Sequence, residues 1–178
     1  MDKYTITIAG LQRELPLCAV NETLKIAAFI IFSDVELTVA ASAELLKKVP
    51  EFDVIITPEA KSIPLAYEMA RQSGKNYVVA RKSTKLYMTN PISVSVRSIT
   101  TDRLQTLYLS EEDAGKIKDK RVLIVDDVIS TGESLIAVEK LIEQAGGTKA
   151  ASCAVLAEGD ASKRDDIIYL SYLPLFFS

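Results

Sequence analysis

Residues Arg121 to Leu135 read R-V-L-I-V-D-D-V-I-S-T-G-E-S-L, and this stretch decides how the chain is built. Val122 to Val125 form a short unbroken apolar run, the pattern of a strand buried on both faces in a parallel sheet. Asp126 and Asp127 follow at once, then a loop of small polar residues with Ser130, Thr131, Gly132 and Ser134. From Leu135 the apolar residues recur at helical spacing through Val138, Leu141 and Ile142. Strand, acids, small-residue loop and helix start together predict an anion site. Loop amides and hydroxyls wrap a phosphate, and the helix N-terminus adds partial positive charge. Gly132 lets the backbone approach closely. Two adjacent carboxylates beside a phosphate cradle, expected to face solvent, suit a ribose diol or a hydrated Mg²⁺. The competing structural reading is a surface turn with a good N-cap, since Asp and Ser are common at such positions.

Composition narrows the class. A chain of 178 residues suits one domain, large enough to bury about two-thirds of its unfolded surface. With 48% apolar residues and a mean hydropathy of +0.17, it is a folded chain rather than a disordered one. A net charge of −3 and a pI of about 5.1 weigh against a nucleic-acid partner. Cys18 and Cys153 give neither metal spacing nor a disulfide framework, so a cytoplasmic location is expected. The opening M-D-K-Y-T-I has no signal-peptide apolar segment, and no apolar run reaches membrane-spanning length, so no membrane partner is expected. The sequence contains no His, which excludes His-based catalysis and His metal ligation.

Working outward, Tyr4, Ile6 and Ile8 alternate as an edge strand, and Gly10 to Leu17 reads as a loop. Leu24 to Phe32 is so apolar that strand and buried helix stay equally open. Ser33 with Glu36 resembles a capping box, and Val35, Val39, Ala43, Leu46 and Val49 mark the inward face of the following helix, which ends before Pro50. Asp53 to Thr57 predicts a buried strand, Ile63 to Gly74 a helix and Tyr77 to Ala80 another strand. Residues 134–145 predict a helix stopped by Gly146-Gly147, and Ala150 to Leu156 the final core strand. Strand–helix alternation predicts an α/β fold with a parallel sheet flanked by helices, whose ligands bind beyond the carboxyl ends of the strands. Thr57–Ser62, Arg81–Lys85 and Asp126–Ser134 occupy those ends, and three polar loops therefore converge.

Arg81, Lys82 and Lys85 form a candidate pyrophosphate clamp, with a solvated charged face as the alternative. Residues 84–110 lack a helical pattern, and alternating Ile92, Val94 and Val96 followed by Leu107 and Leu109 predict a two-stranded excursion. Its long tip fits a lid over the site, or an ordinary exposed hairpin. The aromatic tail, Ile167 to Phe177, covers the site or seals the core.

The Arg121–Leu135 stretch resembles the binding motif for 5-phosphoribosyl 1-diphosphate (PRPP) of type I phosphoribosyltransferases: four apolar residues, two acids, two apolar residues, then S-T-G-x-S. The N-terminal G-L-x-R-x-L-P-L, the segment A-R-K-S-T-K-L-Y and the closing L-P-L-F are similar to the adenine and xanthine phosphoribosyltransferase group. The resemblance implies a single phosphoribosyltransferase domain over residues 1–178, with a core of about 33–156, a lid of about 84–110 and a small hood from the terminal segments. It implies Mg²⁺-assisted transfer of ribose 5-phosphate from PRPP to a purine base by a homodimer, with adenine giving AMP and pyrophosphate. On this resemblance Asp126 and Asp127 are the catalytic pair, holding the ribose hydroxyls directly or through hydrated metal, and Ser130, Thr131, Gly132, Glu133 and Ser134 hold the 5-phosphate. Glu59, Ala60, Lys61 and Ser62 stand where the resembling adenine enzymes carry E-A-R-G, and with Arg81, Lys82 and Lys85 they hold pyrophosphate.

Two departures shape the substrate expectation. The hypoxanthine–guanine group carries an Asp at the position of Ser130, and the adenine group carries a lid Glu where this chain has Ser98-Ile99-Thr100-Thr101. Adenine is therefore the expected base. The alternatives are xanthine, or a PRPP-sensing protein that kept the loop and lost turnover.

Overall fold

The computed structural model describes residues 2–97 and 104–177. Strands β1 (Lys3–Ile8), β2 (Leu11–Ala19) and β3 (Leu24–Ala27) form an antiparallel meander. Residues 10–17, expected as a loop, are mostly the second of these strands. Ala9 and Gly10 both take positive φ, the two-residue hairpin geometry that matches strand twist. Of the ambiguous Leu24–Phe32 run, the first four residues are strand and the rest is irregular.

Helix α1 (Val35–Lys48) corrects two expectations. Its N-cap is Asp34, whose carboxylate accepts from the Leu37 amide at 3.1 Å, not Ser33. Arg13 of β2 fixes that cap with a fork to Asp34 at 2.7 and 3.1 Å and reaches Glu36 at 2.8 Å. The buried face is Leu37, Thr38, Ala41, Ser42 and Leu45, whereas Val35 is 74% exposed and Val39 also lies at the surface. Only Leu46 and Val49 of the expected face pack on the core, from its edge.

The core follows in alternation: β4 (Val54–Pro58), α2 (Ile63–Ser73), β5 (Asn76–Ala80), the hairpin β6 (Ile92–Arg97) and β7 (Leu104–Leu109), and α3 (Glu111–Ile117). Strand β8 (Arg121–Ile129), α4 (Glu133–Gln144) and β9 (Thr148–Glu158) come next. A 3-10 turn then leads to β10 (Ile168–Leu173) and β11 (Leu175–Phe177). The parallel sheet has the order β10-β9-β8-β4-β5, so β8 sits at its centre. The tail thus adds a fifth parallel strand beyond the expected core boundary at 156, and β11 pairs with β3 to complete a separate four-stranded sheet.

Two apolar layers hold the sheet. Leu123 and Val125 point to a layer with Leu45, Leu65 and Met69 of α1 and α2, while Val122 and Ile124 point to a layer with Leu135, Val138 and Leu141 of α4. That two-sided burial explains the continuous apolar run of β8. The hairpin belongs to the second layer, with Leu107 and Leu109 fully buried in it. At the opposite end of the sheet from the loops, Arg121 clamps Asp53 through its amide, Nε and Nη2 at 2.8, 3.1 and 2.9 Å, fixing where β8 begins beside β4.

Candidate active site

The three polar loops meet at the carboxyl ends of β4, β5 and β8, as the topology requires. A cavity of about 460 Å³ is lined by Glu59–Ser62, Lys82, Asp126, Asp127, Ser134 and the hairpin residue Gln105. A smaller hollow of about 110 Å³ adjoins it through Asp126, Val128 and Ser134, and is lined by the Ser130–Ser134 loop.

The smaller hollow has the form of an anion cradle. Gly132 is the N-cap of α4 with φ +81°, and no side chain caps this helix. The side-chain N-cap that the surface-turn reading expected is absent. The first turn of α4 instead lines the hollow with the positive end of its dipole. Gly132 is also packed closely. A Cβ there would meet Nη1 of Arg164, whose Nε and Nη2 donate to Asp166 at 2.8 and 2.6 Å.

The acids lie inside β8 rather than after it, since pairing with β9 continues through Asp126 to Ile129. Asp127 does not face solvent: it is 4% exposed, and its Oδ2 is shut away without a hydrogen bond. Lys61 Nζ stands 3.4 Å from that oxygen. Asp126 keeps some surface open to the cavity, and its Oδ1 accepts from the Asp127 amide at 2.8 Å. The packed strand ends around its carboxyl, and then the Asp127 carboxyl beside it, push its proton affinity well above the usual carboxylate range.

The β4 loop is built as a rigid turn. Its Glu59–Ala60 peptide is cis. Thr57 Oγ1 donates to Ser62 Oγ at 2.7 Å, and Ser62 Oγ donates to the Pro58 carbonyl at 3.2 Å. The Ser62 hydroxyl is thereby buried in the loop's own scaffold, while Lys61 projects with half its side chain exposed. Glu59 accepts from the Lys82 amide at 2.9 Å and lies 3.3 Å from Arg81 Nε. That amide, followed by the charges of Arg81 and Lys85, holds the Glu59 carboxyl below its ordinary range. Glu59 thus ties two loops together. Arg81 lines a separate hollow with Tyr87 and Asp113, and Lys85 turns its Nζ to Ser83 Oγ at 3.1 Å, so neither borders the main cavity. The Ser98–Thr101 segment lies outside the described residues. Gln105 is the site residue that sequence reading missed; only its place two residues before Leu107 on an alternating strand could have signalled it.

The phosphoribosyl transferase domain family profile matches residues 34–175. The chain belongs to this family. Relatives of this chain include the adenine phosphoribosyltransferase of Kosmotoga olearia, 36% identical over 130 residues that cover 67% of this chain and 72% of that one. The adenine phosphoribosyltransferase of Thermotoga petrophila is 37% identical over 108 residues, covering 61% and 60%. The hypoxanthine/guanine phosphoribosyltransferase of Methanococcus voltae is 38% identical over 112 residues, covering 63% and 56%. The chain thus spans less than two-thirds of the length of two of these three relatives. Crystal structures of adenine phosphoribosyltransferases from Thermoanaerobacter pseudethanolicus and Rhodothermus marinus superpose with TM-scores of 0.66 and 0.67. They are 22% and 20% identical to this chain and cover 96% of it, so what they share with it is the fold: a parallel sheet flanked by helices.

Proposed function

We propose that this protein transfers ribose 5-phosphate from PRPP to a purine base, adenine before xanthine, releasing pyrophosphate. The observation that carries the reading is the adjoining pair of hollows: an uncapped helix start beside a cavity lined by three carboxylates, Glu59, Asp126 and Asp127, and two lysines. The Ser130–Ser134 loop takes the 5-phosphate, Asp126 and Asp127 take the ribose hydroxyls, and Lys61 and Lys82 take the diphosphate. Ala60 contributes backbone to that subsite and Ser62 its rigidity, while Glu59 and Arg81 hold the loops in place. Bond breaking at the anomeric carbon leaves charge on the diphosphate, and positioned lysines stabilise it without reorganising.

The residues present fit a hydrated Mg²⁺. Among the described residues no three metal-ligating side chains converge; with Glu59 engaged by the Lys82 amide and Arg81, Asp126 and Asp127 remain, the donor set of a cation that keeps its waters and substrate phosphates. Asp127 Oδ2, ion-paired to Lys61 but without a hydrogen bond, would accept from such a metal-bound water once Lys61 turns away. When bound, the metal neutralises charge on the leaving diphosphate. Lys61, held to Asp127 only at 3.4 Å and half exposed, is then free to turn to the diphosphate.

Homodimer formation is part of the proposal. Ile30, Phe32, Val35, Val39 and Tyr67 expose large apolar surface around the start of α1, beside the α2 that follows the Glu59–Ser62 loop. Sedimentation at micromolar concentration should give twice the chain mass, and a monomer would overturn this part. A cytoplasmic location accords with the two free thiols, Cys18 and Cys153. No helix among the described residues is long and apolar enough to cross a membrane. Pyrophosphate release from PRPP with Mg²⁺ and adenine tests the activity itself; tight PRPP binding without release from any base would favour a sensor.

A further inference from the structure

Gln105 has a side-chain contact that the proposed roles leave unused. Its amide meets Ser134 in the first turn of α4, with Nε2 3.3 Å and Oε1 3.5 Å from Ser134 Oγ. Period-2 alternation puts Gln105 on the same face of β7 as Leu107 and Leu109, which are fully buried against α4. Among the described residues, the hairpin is therefore seated on α4 by apolar packing at one end and by the Gln105–Ser134 contact at the site end. Gln105 also lines the cavity that Lys61, Lys82 and Asp127 share.

A serine hydroxyl has one hydrogen to give and two lone pairs. When Ser134 Oγ accepts from Gln105 Nε2, one lone pair is engaged and the hydrogen is left for an anion in the loop. Donation from the amide also polarises the hydroxyl, so the chain from amide to hydroxyl to anion strengthens as a unit.

We infer that Gln105 is a positioning residue for the 5-phosphate, aiming the Ser134 hydroxyl at the anion and coupling the hairpin to the loaded loop. The inference rests on the proposal that the Ser130–Ser134 loop holds the phosphate.

Calorimetry with ribose 5-phosphate tests this on the full chain, using Gln105→Leu, Ser134→Ala and the double variant. Gln105→Leu should weaken binding about tenfold, the scale of one hydrogen bond in a charge-assisted chain. The double variant should bind no more weakly than Ser134→Ala alone, since Gln105 acts only through Ser134. In steady state Gln105→Leu should raise KM for PRPP and leave kcat within about twofold, a split that simple loss of structure does not produce. Gln105→Met, also lacking the donor, serves if the leucine variant does not fold. Equal affinity of wild type and Gln105→Leu, or additive losses in the double variant, would overturn the inference while leaving the loop's role intact. Failure of the unaltered protein to bind ribose 5-phosphate would overturn the loop reading and the inference with it.

Discussion

Thr131→Val combined with Gly132→Val is expected to abolish PRPP binding, lowering affinity by at least about a hundredfold. Three effects add. At φ +81° a β-branched residue is strained by about 1–3 kcal/mol, so the helix start must rotate out of the geometry that aims its amides into the hollow. The new Cβ would also meet Nη1 of Arg164, which would have to swing aside from its fork to Asp166. The Thr131 hydroxyl is lost from the hollow's lining as well. The rest of α4 keeps its core contacts through Leu135, Val138 and Leu141, so the variant should fold with Tm lowered by about 2–4 °C for each kcal/mol of strain. Calorimetry with PRPP checks this, and normal affinity would remove the loop from the binding site.

Asp127→Asn is expected to cut kcat/KM for PRPP by about 10²–10³, the scale for removing one preorganised electrostatic contact. The fold should survive, because the one charge left behind, Lys61, is half exposed and can resolvate. Asp126→Asn should also lose activity but gain stability. The Asp126 proton affinity is raised in the fold, so its ionisation costs folding free energy as pH rises above the unfolded value of about 3.9. The Tm advantage of Asp126→Asn should therefore be present at neutral pH and vanish below about pH 4, where the acid is protonated in both states. An unaltered kcat/KM in folded Asp127→Asn, or a Tm advantage for Asp126→Asn that is independent of pH, would contradict these assignments.

The sheet and its loops were legible because β8 is buried on both faces, which forces a continuous apolar run, and because α4 begins at a glycine. The face of α1 was not. That helix is apolar on two sides, and which side meets the sheet is decided by tertiary packing rather than by its own period. Val35 and Val39, read as core, are exposed, while Thr38 and Ser42 are buried. Strand β2 was hidden by Pro16, which reads as a loop residue although its carbonyl still accepts from the Ala28 amide. Within the site, the sequence grouped Arg81 and Lys85 with Lys82 by adjacency alone. The structure separates them, because past the end of β5 only Lys82 borders the main cavity. Gln105 was invisible for the opposite reason, since its partner Ser134 lies 29 residues away.

The reading as a purine phosphoribosyltransferase selecting adenine is tested most directly by pyrophosphate release with PRPP, Mg²⁺ and each of four bases. On the resemblance, Ser130 stands where the hypoxanthine–guanine group carries the Asp that moves a proton, and the sequence holds no His. An adenine reaction asks least of such a site, because its N9 proton can leave to water while diphosphate expulsion dominates the barrier. The largest kcat/KM should therefore belong to adenine, with xanthine next and hypoxanthine and guanine poor. Preferred turnover of hypoxanthine or guanine would contradict the base assignment, and tight PRPP binding with no pyrophosphate released from any of the four would contradict the enzyme.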